Sequence, residues 1–371
     1  MKIIVTHVPA GSGHEKAAEA VCAALKEQAP SAEIILLNAL DGMSPWYQWS
    51  FTQGYLDMIH RHPQLWGAAY HSLDMRGLAW AAYKLHRISN ASHGKTLETI
   101  LERYRPDVVI GTHFFPMEVA SYLKMKGRIQ ARLITVITDF LPHSVWISPG
   151  IDRYAVASSW TREELLRRGV AEERIQITGI PIHPKFARKG NRAELVEKLG
   201  LRPDLWTVLI GAGGFGTGPV AELVETFSLI REPLQILVVT GKNTALLRHL
   251  EAARERLAHH AVTLYGFVDN VDELMDVSDL MATKPGGLSC AEAMAKGLPL
   301  LLTSPIPGQE SRNARLLEGA GIALQAGRMA EIPKQIETLS RDPARLQTMA
   351  DLGRKASFPE AARTVARMAA P

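Results

Sequence analysis

The sequence lacks an apolar run long enough to span a membrane, and it holds only two cysteines. No uninterrupted hydrophobic stretch approaches the roughly 18 residues that a membrane-spanning helix needs. The first residues, MKIIVTHVPAGSGHEK, predict a strand followed by glycines and no secretory signal. Cys22 and Cys290 fall in predicted amphipathic helices, which argues against a disulfide framework and a cysteine metal site. We therefore expect a cytoplasmic protein without a spanning helix.

Several short motifs are also absent: GxxxxGK[ST], HExxH, paired CxxC and the EF-hand loop do not occur. Hydrophobic residues make up 46% of the chain and charged residues 22%, which is typical of a globular protein and excludes a disordered one. The net charge is +4, from 42 basic and 38 acidic residues. It favours anionic partners such as a sugar nucleotide or an acidic lipid surface. We expect neither a metal nor a nucleic-acid partner.

Short β-branched runs alternate with helical patterns, which predicts βαβ units and parallel sheets. Candidate strands form two series: 2–8, 34–38, 107–112, 133–138, 153–157 and 174–178, then 207–211, 235–240, 261–265, 278–282, 299–303 and 321–325. Residues 179–192 lie between the two series, and their prolines, glycines and basic residues predict a linker. We expect two doubly wound α/β domains, at 1–185 and 186–371, with the last helix packing back on the first domain.

An aromatic insertion at 41–106 interrupts the first series. It is helical in outline and combines tryptophans with basic residues: Trp46, Trp49, Trp66 and Trp80 with Arg61, Arg76, Lys84 and Arg87. One interpretation is a set of core helices that covers a sheet edge. The other is a membrane-surface region that receives a lipid acceptor, since such residues suit the headgroup boundary.

The glycine loop 211–216, GAGGFG, follows a strand and matches the dinucleotide fingerprint GxGxxG. A dehydrogenase is nevertheless excluded, because the next strand ends in Thr240-Gly241-Lys242, where an acidic ribose ligand would stand. In the segment TKPGGLSCAE, Lys284 and two glycines precede a helix expected to start near Ser289, which suits a diphosphate.

Two polar sites in the second half of the chain have alternative interpretations. Glu292 is either a ligand of ribose hydroxyls or the partner of Ser289 in a capping box. In PIPGQESRN, the side chains of Gln309, Glu310 and Asn313 suit hexose hydroxyls, and helix capping is the alternative.

In the first half, His14 follows the loop PAGSG and stands at the start of a helix predicted over 15–28. A helix N-terminus keeps an imidazole neutral, so that it accepts a proton or a hydrogen bond. A capping histidine is the alternative. Asp139 follows a strand in TDFLPHSVW, at the sheet edge where open α/β folds place ligands. Asp139 and His143 are alternatives for an acid/base pair.

Seven segments, in their order along the chain, resemble one protein family: GSGHEKAAEA, ITDFLPHSVW, TGIPIHPKF, GAGGFG, YGFVDNVDELM, TKPGGLSCAEAMAKGLPLL and PIPGQESRNARLL. This family is the monogalactosyldiacylglycerol synthase and processive diacylglycerol glucosyltransferase group of glycosyltransferase family 28. The resemblance covers nearly the whole chain and implies a GT-B fold, two Rossmann-like domains facing across a cleft. One departure is Gly11-Ser12-Gly13, where family members often have three glycines.

The resemblance also implies roles for individual residues. The diphosphate would be held by Gly213, Gly214, Lys284, Gly286 and Gly287. The uracil would contact the backbone of Phe267, beside Val268. The ribose would bind Glu292, and the hexose would bind Gln309 and Glu310. His14 and Asp139 would act on the acceptor hydroxyl, with Gly13, His143 and Trp146 in the acceptor loops.

The resemblance further implies transfer of a hexose, glucose rather than galactose, from a UDP-sugar to the hydroxyl of diacylglycerol. The configuration at the anomeric carbon would be inverted, and the transfer would occur once or several times in succession. Asp139 is the expected general base, with His14 positioning or sharing the proton. Loop amides and Lys284 stabilise UDP as it leaves, with no metal or other cofactor required. The expected location is the inner face of the cell membrane, at an anionic surface. Alternatives are an N-acetylglucosamine transferase acting on a polyprenyl carrier, a UDP-sugar epimerase, and a non-catalytic UDP-sugar sensor.

Overall fold

The computed structural model describes residues 1–74, 95–216 and 218–370. The chain forms two compact units. The first contains residues 1–184, 306–309 and 358–371, and the second contains 185–305 and 310–357. The main boundary thus falls after Pro184, within the predicted linker.

The first unit is a parallel sheet with helices. Its strands are β1 (Lys2–His7), β2 (Glu33–Asn38), β3 (Val108–Gly111), β4 (Arg132–Val136), β5 (Arg153–Val156) and β6 (Ile175–Ile177). Its described helices before the boundary are α1 (Ser12–Gln28), α2 (Pro45–Phe51), α3 (Gln53–Arg61), α4 (Pro63–Asp74), α5 (Lys95–Tyr104), α6 (Phe114–Met125) and α7 (Ser159–Arg167). The strand order is β2-β1-β3-β4-β5-β6.

The second unit repeats this architecture. Its strands are β7 (Thr207–Gly211), β8 (Gln235–Val239), β9 (Ala261–Tyr265), β10 (Leu280–Thr283), β11 (Leu300–Leu302) and β12 (Ala323–Gln325), in the order β12-β11-β10-β7-β8-β9. Its helices up to β11 are α8 (Arg192–Lys198), α9 (Val220–Thr226), α10 (Thr244–Ala253), α11 (Val271–Asp276) and α12 (Gly287–Lys296). Then follow α13 (Gln309–Gly319), α14 (Ile332–Ser340) and α15 (Pro343–Ala356). The last helix, α16 (Ala361–Met368), belongs to the first unit.

The twelve predicted strands are all present, and the doubly wound α/β prediction is confirmed. Every strand pair is parallel. Helices cover parallel sheets on both faces, so their strands are continuous apolar runs. Ile3, Ile4 and Val5 of β1, for example, are fully buried in succession. Two strands begin two residues later than predicted, at Leu280 and Ala323.

Each sheet has one point where the strand order reverses. In the first sheet it lies between β1 and β3, and in the second between β7 and β10. In open α/β sheets ligands bind beyond the carboxyl ends of the strands at such a point. The loops after β1, β3, β7 and β10 are therefore where ligand contacts are expected.

The last helix belongs to the first unit. α16 packs along α1, where Val365 and Ala362 join Val21 and Leu25 in one buried cluster. Gly179 provides a further close contact, because a Cβ there would lie 2.2 Å from the Cβ of Phe358. The chain thus returns to its first unit after completing the second.

Candidate functional site

The KPGG loop of the second unit leads from β10 into α12. The helix begins at Gly287, with Gly286 as its N-cap and no side-chain cap. Ser289 therefore lies inside the first turn, and the helix begins two residues before the predicted start near Ser289. The capping-box interpretation of Glu292 is wrong, because Ser289 is not the N-cap. The first amides of α12 have no partner within the helix, which suits an anion at this end.

Lys284 and the glycine loop after β7 lie together. A Cβ on Gly213 would lie 3.6 Å from Cε of Lys284, so the lysine chain passes over that glycine. Gly213 has φ +69°, a left-handed conformation that glycine adopts without strain. The loop is also packed against the end of β8, since Lys242 N donates to Gly214 O over 3.1 Å. The structure thus brings three predicted diphosphate ligands, Gly213, Gly214 and Lys284, to one place.

Glu310 is buried, at 5% exposure, and its Oε1 lies 3.7 Å from Nζ of Lys284. It occupies the first turn of α13, together with the half-buried Gln309. Gln309, Glu310 and Asn313 thus all lie on one helix. Asn313 is fully buried and donates from Nδ2 to Pro285 O over 3.1 Å, which connects α13 to the KPGG loop.

Phe267 and Val268 follow β9 directly, after Gly266. The Phe267 ring is 51% exposed, and Nζ of Lys242 lies 5.8 Å from its centroid. An exposed phenyl ring beside a cation offers a flat apolar face. Its place after β9 is compatible with the uracil contact that the resemblance implies.

His14 lies at the reversal point of the first sheet, in the first turn of α1, which begins at Ser12 and not at residue 15. Gly13 belongs to the same turn, and the N-cap Gly11 has φ +104°. Nδ1 of His14 is 2.6 Å from Thr112 O, and Oγ1 of Thr138 is 3.1 Å from the same nitrogen. A carbonyl oxygen only accepts, so Nδ1 carries the proton and Nε2 accepts. Burial lowers the pKa of His14 to about 4.

A second histidine, His113, lies beside His14 and was not found from the sequence. Their ring centroids are 4.8 Å apart at an interplanar angle of 86°. Nδ1 of His113 accepts from Phe115 N over 3.2 Å at the start of α6, so its proton is on Nε2. Burial lowers the pKa of His113 well below its usual value, and the neighbouring His14 adds to this effect. The available signal was the position of GTHFF after a strand, at the sheet edge where ligands bind.

Asp139 is half-buried and follows Thr138, whose hydroxyl approaches the His14 ring. Both residues lie beyond the carboxyl end of β4. The chain connection therefore brings the backbone of Asp139 close to His14, as the two strand ends predict.

His143 has a structural role on both sides of its ring. Nδ1 accepts from Val145 N over 3.2 Å, and Nε2 donates to Tyr70 O over 2.8 Å. Both ring nitrogens of His143 are therefore engaged in hydrogen bonds within the protein. Trp146 is buried in the core, and its ring lies 6.2 Å from that of His14.

An ion pair holds the loop after Asp139 against α4. The carboxylate of Asp74 receives two bonds from Arg168, at 2.8 and 3.0 Å, and a third from Ser144 N at 2.9 Å. Both charged side chains are largely buried, so the pair is screened little by salt. The end of α4 is therefore fixed to the loop that contains His143.

The described helices of the aromatic insertion have both a core face and an exposed face. Tyr47 is buried, and its ring is 5.8 Å from that of Phe115. Large apolar side chains are exposed in the same helices: Trp46 at 66%, Leu65 at 62%, Trp49 at 49% and Met58 at 40%. Trp66 is half-buried. Arg61 is exposed at the end of α3. Four other predicted members, Arg76, Trp80, Lys84 and Arg87, lie outside the described residues.

Among the described residues, no group of three or more His, Cys, Asp or Glu side chains is arranged to hold a metal ion. Within the same residues, none of the helices combines the length and apolarity that crossing a membrane requires.

Comparison with known proteins assigns the family. Residues 14–182 match the family described as Monogalactosyldiacylglycerol (MGDG) synthase, and residues 193–356 match Glycosyl transferases group 1. The processive diacylglycerol beta-glucosyltransferase of Bacillus mycoides is 38% identical over 269 residues, which cover 72% of this chain and 68% of the relative. The chain belongs to this glycosyltransferase family.

A second relative with the same name, from Bacillus licheniformis, is 37% identical over 69% of this chain. The chain spans 66% of that relative's length. The resemblance stated from the motifs is thereby confirmed.

Solved structures share the fold. MurG of Acinetobacter baumannii superposes with a TM-score of 0.65 at 16% identity, covering 99% of both chains. MnaA of S. aureus, solved with UDP, gives a TM-score of 0.62 at 16% identity over 98% of this chain and 95% of that one. HepE of Anabaena, in complex with UDP, gives 0.58 at 13% identity over 99% of both chains. The predicted GT-B fold is confirmed.

Proposed function

We propose that this protein transfers glucose from UDP-glucose to the hydroxyl of diacylglycerol, with inversion at the anomeric carbon, and that it adds further glucose units in succession. The observation that carries the proposal is the identity of 37% to 38% with processive diacylglycerol beta-glucosyltransferases. Both reversal points of the sheets also carry side chains suited to this reaction.

The second unit, together with Gln309, which precedes Glu310 in α13, supplies the donor half. The first amides of α12 and the Lys284 ammonium receive the diphosphate, and they stabilise the charge that develops as UDP leaves. Glu292, in the second turn of α12, binds the ribose. Gln309 and Glu310 accept hydrogen bonds from the hexose hydroxyls. Because Lys284 is already beside Glu310, donor binding brings the lysine a second anionic partner.

The first unit supplies the acceptor half. An alcohol is a poor nucleophile at neutral pH, so a base near it is needed. Asp139 takes the hydroxyl proton, and the hydroxyl oxygen attacks the anomeric carbon as the bond to UDP breaks. The accepting Nε2 of His14 orients the hydroxyl, because Nδ1 is held by Thr112 O. None of these steps uses a metal ion, so a chelator should leave the rate unchanged.

Diacylglycerol resides in a bilayer, so the enzyme has to bind the membrane surface. Each buried CH₂ contributes about 0.8 kcal/mol to keeping such a lipid in the membrane. The exposed side chains of Trp46, Trp49, Met58 and Leu65 support peripheral binding through the insertion helices. We place the protein on the inner face of the cell membrane, where anionic lipids attract its net charge of +4.

The test is a transfer assay with the purified full chain, dispersed diacylglycerol and UDP-glucose, UDP-galactose or UDP-N-acetylglucosamine. We expect mono-, di- and triglucosyl lipids with β linkages from UDP-glucose. Asp139→Asn should abolish transfer and still bind UDP-glucose in calorimetry, because the base acts on the acceptor. Preference for another UDP-sugar would overturn the donor assignment, and transfer to a polyprenyl phosphate alone would overturn the acceptor assignment.

A further inference from the structure

A cavity of about 650 Å³ lies in the second unit, away from the KPGG loop. Its walls include Trp206, Asp279 and Pro299, which directly precede β7, β10 and β11. These three strands are neighbours and parallel, so the cavity lies at their amino ends. The KPGG and GAGGFG loops follow the carboxyl ends of the same sheet. The cavity is therefore a separate feature from the donor half-site.

Cationic side chains dominate the lining. Five lining residues are Arg or Lys and one is acidic: Arg188, Lys189, Arg192, Lys296 and Arg354 against Asp279. Such an excess of one sign in a concave surface raises the local concentration of anions. Arg188, Lys189 and Arg192 fall within the predicted linker 179–192, and the donor site does not use them.

The loop that carries Arg188 and Lys189 is fixed at three points. Arg188 O accepts a hydrogen bond from Nζ of Lys296 over 2.5 Å, and Gly190 N donates one to Oδ2 of Asp276 over 3.0 Å. Arg192 forms two bonds to Asp279, at 2.7 and 3.0 Å. This loop is thus held in place before any ligand binds, which reduces the entropy lost on binding.

The cations differ in how far they are neutralised. Arg192 pairs with Asp279, and Arg354 pairs with Asp351 over 2.6 Å. The side chains of Arg188 and Lys189, by contrast, have no carboxylate partner in the described part of the chain. The lining therefore keeps two exposed positive charges that intramolecular ion pairs do not use.

Lys296 forms the buried part of the lining. Its side chain is 2% exposed and pairs with Asp276, which is 4% exposed, over 2.6 Å. Two of its three N–H donors are used, by Asp276 and by Arg188 O. In the described part of the chain, the third N–H has no hydrogen-bond partner.

Apolar side chains form another wall: Trp206, Pro343, Leu346 and Ala350. The volume falls within the roughly 300 to 1,000 Å³ of small-molecule sites. We propose that this cavity binds a small phosphate ester. The phosphate, with a charge of about −1.5 to −2 at neutral pH, is held by Arg188, Lys189 and Lys296, and the organic group packs against Trp206.

The test is calorimetry of the full chain with phenyl phosphate, in saturating UDP so that the donor site is occupied. We expect saturable binding, tighter than that of inorganic phosphate because the ring reaches the apolar wall. The variant Arg188→Gln/Lys189→Gln should weaken it at least about tenfold, since two charge-assisted bonds are lost. A quench of tryptophan fluorescence on binding should disappear in Trp206→Phe.

The matched control is Arg315→Gln/Lys334→Gln, which removes the same charge from exposed positions of the same unit, outside the cavity. It should bind phenyl phosphate like the parent. Equal affinity in both double variants, or no saturable binding by the parent, would overturn the proposal. Binding of phosphatidylglycerol vesicles through Arg188 and Lys189, without binding of phenyl phosphate, would also overturn it and indicate a lipid headgroup site. Transfer activity is not a readout, so the result does not depend on the proposed function.

Discussion

The rings of His14 and His113 meet edge to face, with centroids 4.8 Å apart, and they carry their protons on different nitrogens. Thr112 O receives Nδ1–H of His14, and Phe115 N donates to Nδ1 of His113. Burial lowers the pKa of both imidazoles, so both rings are neutral at physiological pH. An accepting nitrogen and a donating one are therefore present in one small region.

His14 should give no titration step near pH 6.5 in the transfer rate. Because its pKa is about 4, its Nε2 is unprotonated throughout the range in which enzymes of this kind are assayed. We expect kcat/KM to lack an inflection assignable to His14 between about pH 6 and pH 8. His14→Gln should lower kcat about 100-fold or more at every pH in this range. An inflection near pH 6.5 that vanishes in His14→Gln would contradict the assignment.

The same shift in pKa makes the first unit sensitive to acid. The unfolded chain takes up a proton near pH 6.5, whereas folded His14 does so only near pH 4. The free energy of unfolding should therefore decline as the pH falls between these values. Urea unfolding at pH 7.5 and pH 5.5 tests this, and His14→Gln should show the smaller loss. Equal losses in the two proteins would mean that His14 does not contribute.

His113→Asn should separate helix capping from the packing of the imidazole. Asparagine still caps α6, so this variant should keep more stability than His113→Ala. It removes the ring that packs edge-on against His14, so we expect kcat to fall about tenfold with little change in KM for UDP-glucose. His113→Ala is the comparison that loses the cap as well. If His113→Asn keeps full turnover, His113 serves only as a helix cap.

Substitutions at Glu292 and Glu310 should affect different parts of the donor. Glu292→Ala should weaken UDP and UDP-glucose alike, by about 1 to 3 kcal/mol, because the ribose belongs to both. Glu310→Gln should weaken UDP-glucose and leave UDP unchanged or slightly tighter, because Lys284 loses its neighbouring carboxylate. Calorimetry with each nucleotide measures the difference. Equal losses for both nucleotides in Glu310→Gln would contradict a hexose contact.

The exposed tryptophans of α2 should mediate membrane binding. Trp46→Ser/Trp49→Ser should reduce sedimentation with phosphatidylglycerol vesicles, and added salt should weaken binding of the parent. Leu229→Ser is the control, since Leu229 is 67% exposed in the second unit and outside the insertion. Vesicle binding that is insensitive to the tryptophans, to salt and to anionic lipid would leave the insertion with its packing role alone.

Val365→Asp should destabilise the first unit by roughly 3 kcal/mol or more, because it buries a carboxylate in the contact between α16 and α1. Val365 is fully buried in that cluster. Arg367→Asp places the same group on the exposed side of α16 and should cost less than about 1 kcal/mol. Thermal unfolding of the three proteins provides the measurement. Similar losses in both variants would show that the buried contact contributes little.

The fold could be predicted because its strands are continuous apolar runs that helical patterns separate. Helix starts were harder to predict where glycine and serine adjoin. The glycine Gly11, with φ +104°, lets α1 begin at Ser12, and α12 begins at Gly287 although Ser289 and Glu292 have the spacing of a capping box. The spacing of residues in the sequence shows only which residues could cap a helix. The geometry of the preceding loop decides which residue becomes the N-cap.

The contacts that could not be predicted from the sequence join residues that are far apart along the chain. His113 meets His14 across 99 positions of the chain because β1 and β3 are neighbours in the sheet. The spacing between two such residues contains no periodic signal. The rule that ligands bind at reversal points would have found His113 once the strand order was known. The buried pair of Lys296 and Asp276 depends in the same way on the packing of α11 against α12.

The return of α16 to α1 has a consequence for biosynthesis. A ribosome that has completed residues 1–184 still has the second unit to make before residues 358–371 emerge. At roughly 5 to 20 residues per second, this interval is on the order of 10 to 35 s. During that time Val21 and Leu25 of α1 lack the helix that covers them in the finished protein. The unit that is synthesised first is therefore the last to be completed.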